Sequence, residues 1–350
     1  MALRVLEDWL ARLIDPDGDA GDVFLEPHDE PALIDAGSVS WRVFKNPLSV
    51  YVGGIAAVLL QLAEPRVGSG VWQYTSFRER PMERLRRTAH AAMLTVYGPR
   101  SRAEAMIASV SRMHSRVRGT ARDGRAFRAD DPELLEWVHA TACFGFLEAY
   151  RHYVRPLALD ERDAFYAESA PIARLYGAMS APETEAAVAA LFERMGGQLQ
   201  RSDVVLEFLA IVRRMPLLPA ALRPAQAVLT AAAIGLLPAP LRERIGLDGR
   251  RLPRWQRRLV CTTGRVADRI MLRSHPAVQA CRRLGLRPDF LSARKVDAVE
   301  GQVSTALSPA ERNSSATRAG RCRRSRRSRP ERPRRRARPP RSATRTPRGR

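Results

Sequence analysis

Residues 48–62 read LSVYVGGIAAVLLQL, fifteen positions without a charge. A run this apolar has to be covered, because leaving it in water forfeits the main driving force of folding. It falls short of the ~20 residues that span a bilayer. The Gly53-Gly54 pair inside it reads as a place where one helix backbone closes on another. The expectation is a buried helix, Pro47–Leu62, ended by Glu64-Pro65. A second run, Ala225–Leu241, carries Gln226, Gly235 and Pro238. It too is expected to be a buried helix, with a surface-lying membrane contact as the alternative.

Once these runs are taken as helices, the rest of the punctuation agrees with them. Strand signals are few, and Pro and Gly fall mostly between stretches of helical period. A helix is expected over Arg80–Tyr97, stopped by Gly98-Pro99. Ser101 is the expected cap of the next helix, which runs to about Val117. Asp123-Gly124 signals a tight turn and a small hairpin. Asp131-Pro132 has the form of a helix start, a capping residue followed by Pro at the first helical position. Leu159-Asp160-Glu161 opens a further helix. The chain therefore reads as all-α, with residues 1–40 as an N-terminal helix and acidic loop and residues 41–300 as one large helical domain. Residues 301–350 form a tail with too little apolar surface to fold, expected to be disordered.

The net charge of +22 is misleading without its distribution. Residues 312–350 hold 17 Arg against the single Glu331 and supply 16 of those charges, so the remainder carries only +6. The body is mildly basic. The tail is suited to weak contact with nucleic acid or an anionic surface through counterion release. It lacks the aromatic residues that stack on bases, and its composition is also what GC-rich DNA yields when read out of frame. The four cysteines form no CxxC pair and no zinc spacing. The first residues, MALRVLEDWLARLIDPDGDAGD, do not have the form of a secretory signal. A reducing, cytoplasmic setting is expected, with membrane association not favoured.

The common catalytic patterns are missing: there is no GxSxG, Walker A loop, HExxH, or GxGxxG after a strand. The chemistry therefore turns on six histidines. His28, His90, His152 and His275 are read as solvated or structural. His114 shares a helix face with Val110, Ile107 and Ala103, so its imidazole needs either a hydrogen-bond partner or a metal. His139, on the face of Leu135, Ala142 and Phe146, poses the same choice. On the preceding helix Arg84 and Thr88 are four apart and share a face, with Arg87 at its edge. They form either a solvated basic stripe or one cation and one hydroxyl aimed at a bound anion or oxygen species. Glu64 is a candidate general base only by its position near this region.

Five segments, in one order, carry a resemblance: GGIAAVLLQLAEPRVGSGV, TSFRERPMERLRRT, RMHSRVRG, ADDPELLEWVHAT and LALDERDAFYAE. Over roughly residues 40–290 the chain resembles the rubber oxygenase (latex-clearing protein) superfamily, which includes the MpaB-like oxygenase of the mycophenolic acid pathway. The resemblance implies a globin-like helical core, extended by further helices, that holds a b-type haem. It implies His114 as the proximal iron ligand, Arg84 and Thr88 beside the haem pocket, and His139 as a pocket residue or second candidate ligand. Relatives can carry a lysine as distal ligand where this chain has Arg87. A guanidinium stays protonated and ligates poorly, so an open or water-filled sixth site is expected. The family often has histidines where this chain has Glu64 and Thr75. The implied function is a haem-dependent oxygenase acting with dioxygen on a small apolar, alkene-containing molecule. The alternatives are a haem-binding protein without catalysis and a helical protein that works through its electrostatic tail.

Overall fold

The computed structural model describes residues 23–249, 252–287 and 289–292. The N-terminal helix expected before residue 23 and the tail of residues 301–350 lie outside them.

The uncharged run forms α2 (Pro47–Ala63), and its start explains its placement. Asn46 caps it, its Oδ1 accepting from the Leu48 and Ser49 backbone N–H groups at 3.1 and 3.2 Å. The Asn46 Nδ2 donates to the Gly264 carbonyl at 3.0 Å, tying α2 to α12 (Arg254–Ala267). Pro47 at the first helical position loses no bond, since that N–H has no intrahelical partner. At the other end Pro65 forbids continuation. The chain bends by 103° into α3 (Pro65–Tyr74). No single described helix is long and apolar enough to cross a membrane.

The longest helix, α6 (Pro132–Tyr153), starts as expected at Asp131, whose carboxylate accepts from the Glu133 N–H at 2.9 Å. It packs along α2 as the central pair of the fold. The close approach needs glycine on both sides. A Cβ placed on Gly53 would lie 2.6 Å from the Gly145 carbonyl oxygen, and one on Gly145 would strike the Gly53 carbonyl in turn. The expected glycine packing is therefore present, but only Gly53 serves it. A Cβ on Gly54 meets nothing closer than the Phe146 ring at 3.8 Å.

Around this pair stand α1 (Val39–Phe44), α7 (Leu159–Tyr176), α8 (Glu185–Gly196) and α9 (Asp203–Arg214). Glu168 of α7 accepts from the Val39 and Ser40 N–H groups at the start of α1, both at 2.9 Å. The second apolar run is divided, contrary to the single helix expected. It forms α10 (Arg223–Leu236) and α11 (Ala239–Arg244), separated by Leu237-Pro238. Among the described residues the sheet is a single hairpin, β1 (Arg118–Thr120) against β2 (Ala126–Arg128), turned at Gly124 with φ +82°. The all-α reading holds.

Two helices complete the frame that positions the site: α4 (Pro81–Tyr97) and α5 (Arg100–His114). Helix α13 (Pro276–Arg283) packs on α4. Its Arg283 is almost fully buried, and donates to the carbonyls of Phe24, Glu30 and Tyr97 at 2.6, 2.8 and 2.8 Å. A buried guanidinium survives because each of its three nitrogens finds an acceptor. Phe24 and Ile34, in the loop before α1, belong to the same core.

Candidate functional site

Helices α4 and α5 form a hairpin through Gly98-Pro99, with the Gly98 N–H bonded back to the Leu94 carbonyl at 2.9 Å. The expected Ser101 cap is not made. Helix α5 begins at Arg100 without a side-chain cap, and Ser101 instead bonds Glu30 through both its N–H and its Oγ, the latter at 2.9 Å. The helix also ends three residues before the expected Val117: the Arg116 and Val117 N–H groups turn to the Met113 and His114 carbonyls, three residues back, and the Val117 carbonyl accepts from the Ala129 N–H at the base of the hairpin.

The Arg-x-x-x-Thr pair closes on itself. Arg84 Nη1 donates to Thr88 Oγ1 at 2.7 Å, and Thr88 Oγ1 donates to the Arg84 carbonyl at 2.8 Å. Thr88 is exposed and Arg84 is half-buried. Arg87 is exposed and engaged with the start of the helix: it donates to Ser76 Oγ at 3.2 Å and faces Glu83 at 3.7 Å.

His114 is the last residue of α5. Its face has the predicted composition, with Ala103 and Ile107 buried above it. The His114 Nδ1 is buried and has no hydrogen-bond partner. Ser111 Oγ, one turn earlier on the same helix, and Arg86 Nε on α4 are in the same condition. Each such orphaned atom costs about 1–3 kcal/mol, so this hairpin holds polar groups that lack a partner. Burial pushes the His114 pKa below its ordinary value, the Arg84 charge lowers it further, and Asp130 opposes them. The ring is therefore neutral at neutral pH, with a lone pair available for ligation.

His139 is placed differently. Its Nε2 lies 3.2 Å from Ser169 Oγ and 3.4 Å from Cys143 Sγ. Ser169 Oγ donates to the Tyr166 carbonyl at 2.9 Å, so its lone pairs face the other two groups. Burial lowers the His139 pKa to about 4 and raises the Cys143 thiol to about 11. All three side chains are neutral, and no hydrogen bond or ion pair links them to His114, Arg84 or Thr88. The sequence reading missed this cluster. The i, i+4 spacing of His139 and Cys143 was its only local signal, and Ser169 comes from α7.

Glu64 is corrected from candidate general base to structural anchor. It is fully buried, caps α3 through the Val67 N–H at 2.9 Å, and pairs with Arg66 at 2.8 Å and Arg125 at 3.2 Å. A cavity of about 460 Å³ lies between α6, α7, α8 and α11, walled by Phe144, Tyr166, Val188, Phe192 and Leu241. It shares no lining residue with the His114 hairpin.

The donor chemistry fits the group that the resemblance implies. Among the described residues no three His, Cys, Asp or Glu side chains are placed to hold a bare metal ion. A haem supplies four equatorial nitrogens of its own and asks the protein for one neutral imidazole on an apolar face. His114, with its orphaned nitrogen, offers that. Arg84, whose charge reaches the His114 ring, offers a cation for an anionic edge.

No curated protein and no solved structure matches the chain. One family model does, described as ER-bound oxygenase mpaB/B'/Rubber oxygenase, catalytic domain, and the match runs over residues 41–269. That span takes in α2 to α12 and with them the Arg84–Thr88 pair, His114 and His139, so the chain belongs to the MpaB/rubber oxygenase catalytic-domain family, a family of oxygenases.

Proposed function

We propose that this oxygenase-family domain holds a b-type haem through His114 and uses dioxygen on a small apolar molecule with a carbon–carbon double bond. The observation that carries the reading is the buried, unpartnered Nδ1 of a neutral imidazole on an apolar helix face. Bound there, the haem iron would supply the dioxygen-binding and activating chemistry. Cleavage of one double bond by one dioxygen gives two carbonyl products and consumes no external reductant, so the protein need not bind a reduced cosubstrate.

The chain's own residues have three tasks in this scheme. Burial and the Arg84 charge keep the His114 ring deprotonated at neutral pH. Arg84 donates to the Thr88 hydroxyl at 2.7 Å while that hydroxyl donates to the Arg84 carbonyl, so the donors left for an anionic oxygen are the remaining Arg84 N–H groups. The half-buried face of α5 excludes water from the ring. Arg87, engaged by Glu83 and Ser76, is assigned to charge near this edge and not to ligation.

The test is the absorption spectrum of the purified, haem-reconstituted protein beside its His114→Ala variant. A Soret band in the parent that is lost or strongly shifted in the variant is expected. A band that the substitution leaves unchanged refutes His114 as the ligand. No haem uptake by the parent refutes the haem reading altogether. Dioxygen consumption with apolar alkenes then tests the reaction itself.

A further inference from the structure

Helix α12 has two faces that ask for different surroundings. Its inner face is fixed to the body. Val260 is buried, and Gly264 packs so closely on Tyr153 and Val154 that an added Cβ would lie 3.3 Å from the Val154 side chain. The outer face carries Trp255, Leu259 and Val266, which are 65%, 53% and 51% exposed. Their spacing of i, i+4 and i+11 places them in one stripe along the helix. Ile270, just past its end, is also exposed. Single apolar side chains on a surface are ordinary, but an aromatic and two aliphatic residues in line on one helix are not.

A row of cations borders the stripe. Arg254, Arg258 and Arg265 repeat the i, i+4, i+11 spacing one position before the apolar residues, and Arg269 follows the helix end; Arg257, exposed like these four, lies on the other side of the helix near Tyr153. Among the described residues none of these five is ion-paired with a carboxylate. Asp268 is the only acidic residue between 252 and 287, and it turns inward to Asn46 at 3.2 Å and Lys45 at 3.6 Å. Among the described residues the outer face is thus apolar and cationic, with no carboxylate paired to its arginines.

We propose that the outer face of α12 is a docking surface for an anionic lipid bilayer. Trp255, Leu259, Val266 and Ile270 enter the boundary between headgroups and acyl chains, and Arg254, Arg258, Arg265 and Arg269 contact lipid phosphates. Helices that lie in a membrane surface combine these two features, an apolar stripe with Trp and a flank of basic residues. A polyanion such as DNA would satisfy the arginines but leave the aliphatic stripe in water, so the bilayer answers both halves of the face.

The test uses the full chain with phosphatidylcholine vesicles, with and without phosphatidylserine, in a flotation assay. Binding to the phosphatidylserine vesicles is expected, weakening with salt. The Trp255→Glu/Leu259→Glu variant changes only exposed positions, and an unchanged thermal melt would verify its fold. Its partition onto those vesicles should fall about tenfold or more, because charge replaces the inserting groups. Quenching of tryptophan fluorescence by brominated lipid should drop in Trp255→Phe. Equal binding by parent and double variant would overturn the proposal, since the attraction would then lie elsewhere, as in the basic residues of 312–350. Absence of vesicle binding by the parent would overturn it too. So would an Arg254→Gln/Arg258→Gln/Arg265→Gln variant that loses affinity for a DNA duplex while its vesicle binding stays at the parent level.

Discussion

Replacing Gly53 by Ala tests the crossing of α2 and α6 against a control one residue away. The new Cβ would sit 2.6 Å from the Gly145 carbonyl oxygen and 2.7 Å from the Phe146 Cα. Both obstacles are backbone, so no side-chain rotation relieves them, and ordinary contact requires the helices to part by close to 1 Å. A gap of that size forfeits a quarter to a half of the dispersion across it. Losing a third over about 40 atom pairs, each worth roughly 0.15 kcal/mol, costs about 2 kcal/mol. Residual overpacking adds about 1 kcal/mol, and the better helix propensity of Ala returns about 1 kcal/mol. The net destabilisation is about 2 kcal/mol, a fall in Tm of about 4–8 °C for a domain of this size. Gly54→Ala gains the same propensity and meets only the Phe146 ring at 3.8 Å, so it should melt no lower than the parent. Thermal unfolding followed by circular dichroism compares the two. If Gly53→Ala melts within about 1 °C of Gly54→Ala, the crossing is not held at van der Waals contact and the reasoning fails.

Arg283→Met should cost about 3–5 kcal/mol, because it leaves the Phe24, Glu30 and Tyr97 carbonyls buried without a donor. Chemical denaturation would show it, and an unchanged midpoint would contradict the assignment. Glu64→Ala removes the cap of α3 and one of two carboxylates from each of Arg66 and Arg125, which keep Glu133 and Asp123, so a loss of about 1–3 kcal/mol is expected in the same assay. His275 gives an acid limb. Its Nδ1 accepts from the Ala277 N–H at 3.1 Å, and burial lowers its pKa to about 4, below the unfolded value of 6.5. The unfolded chain therefore takes up the proton first. The stability this residue contributes is complete above about pH 6.5 and drains away as pH falls toward about 4. His275→Asn keeps a capping oxygen and should flatten that part of the Tm-against-pH curve.

Local signals were legible in the sequence wherever a residue decides its own surroundings. Pro47, Asp131-Pro132 and Asp123-Gly124 each fix a backbone geometry within a few residues, and each element appears where expected. The pairing of Arg84 with Thr88 follows from helix geometry alone. The failures share one cause. Ser101 was free to cap α5 until Glu30, 71 residues earlier, claimed both its N–H and its hydroxyl. His139 showed only Cys143 as a local neighbour, because Ser169 lies 30 residues away on another helix. Glu64 looked available for chemistry only while Arg125 was out of sight. Pairings across the fold do not repeat with any helical period, so periodicity cannot reveal them.

The contact between Arg283 and the Phe24 carbonyl spans 259 residues. A ribosome adding about 5–20 residues per second takes roughly 13–50 s to cover that distance. For most of that interval the segment bearing Phe24 has emerged, while the guanidinium that bonds the Phe24 carbonyl has not yet been made. The central pair of α2 and α6 can form early in synthesis. The N-terminal loop is therefore anchored in two stages, at Glu30 and Pro31 once Arg100 and Ser101 are made and at Phe24 only when Arg283 arrives.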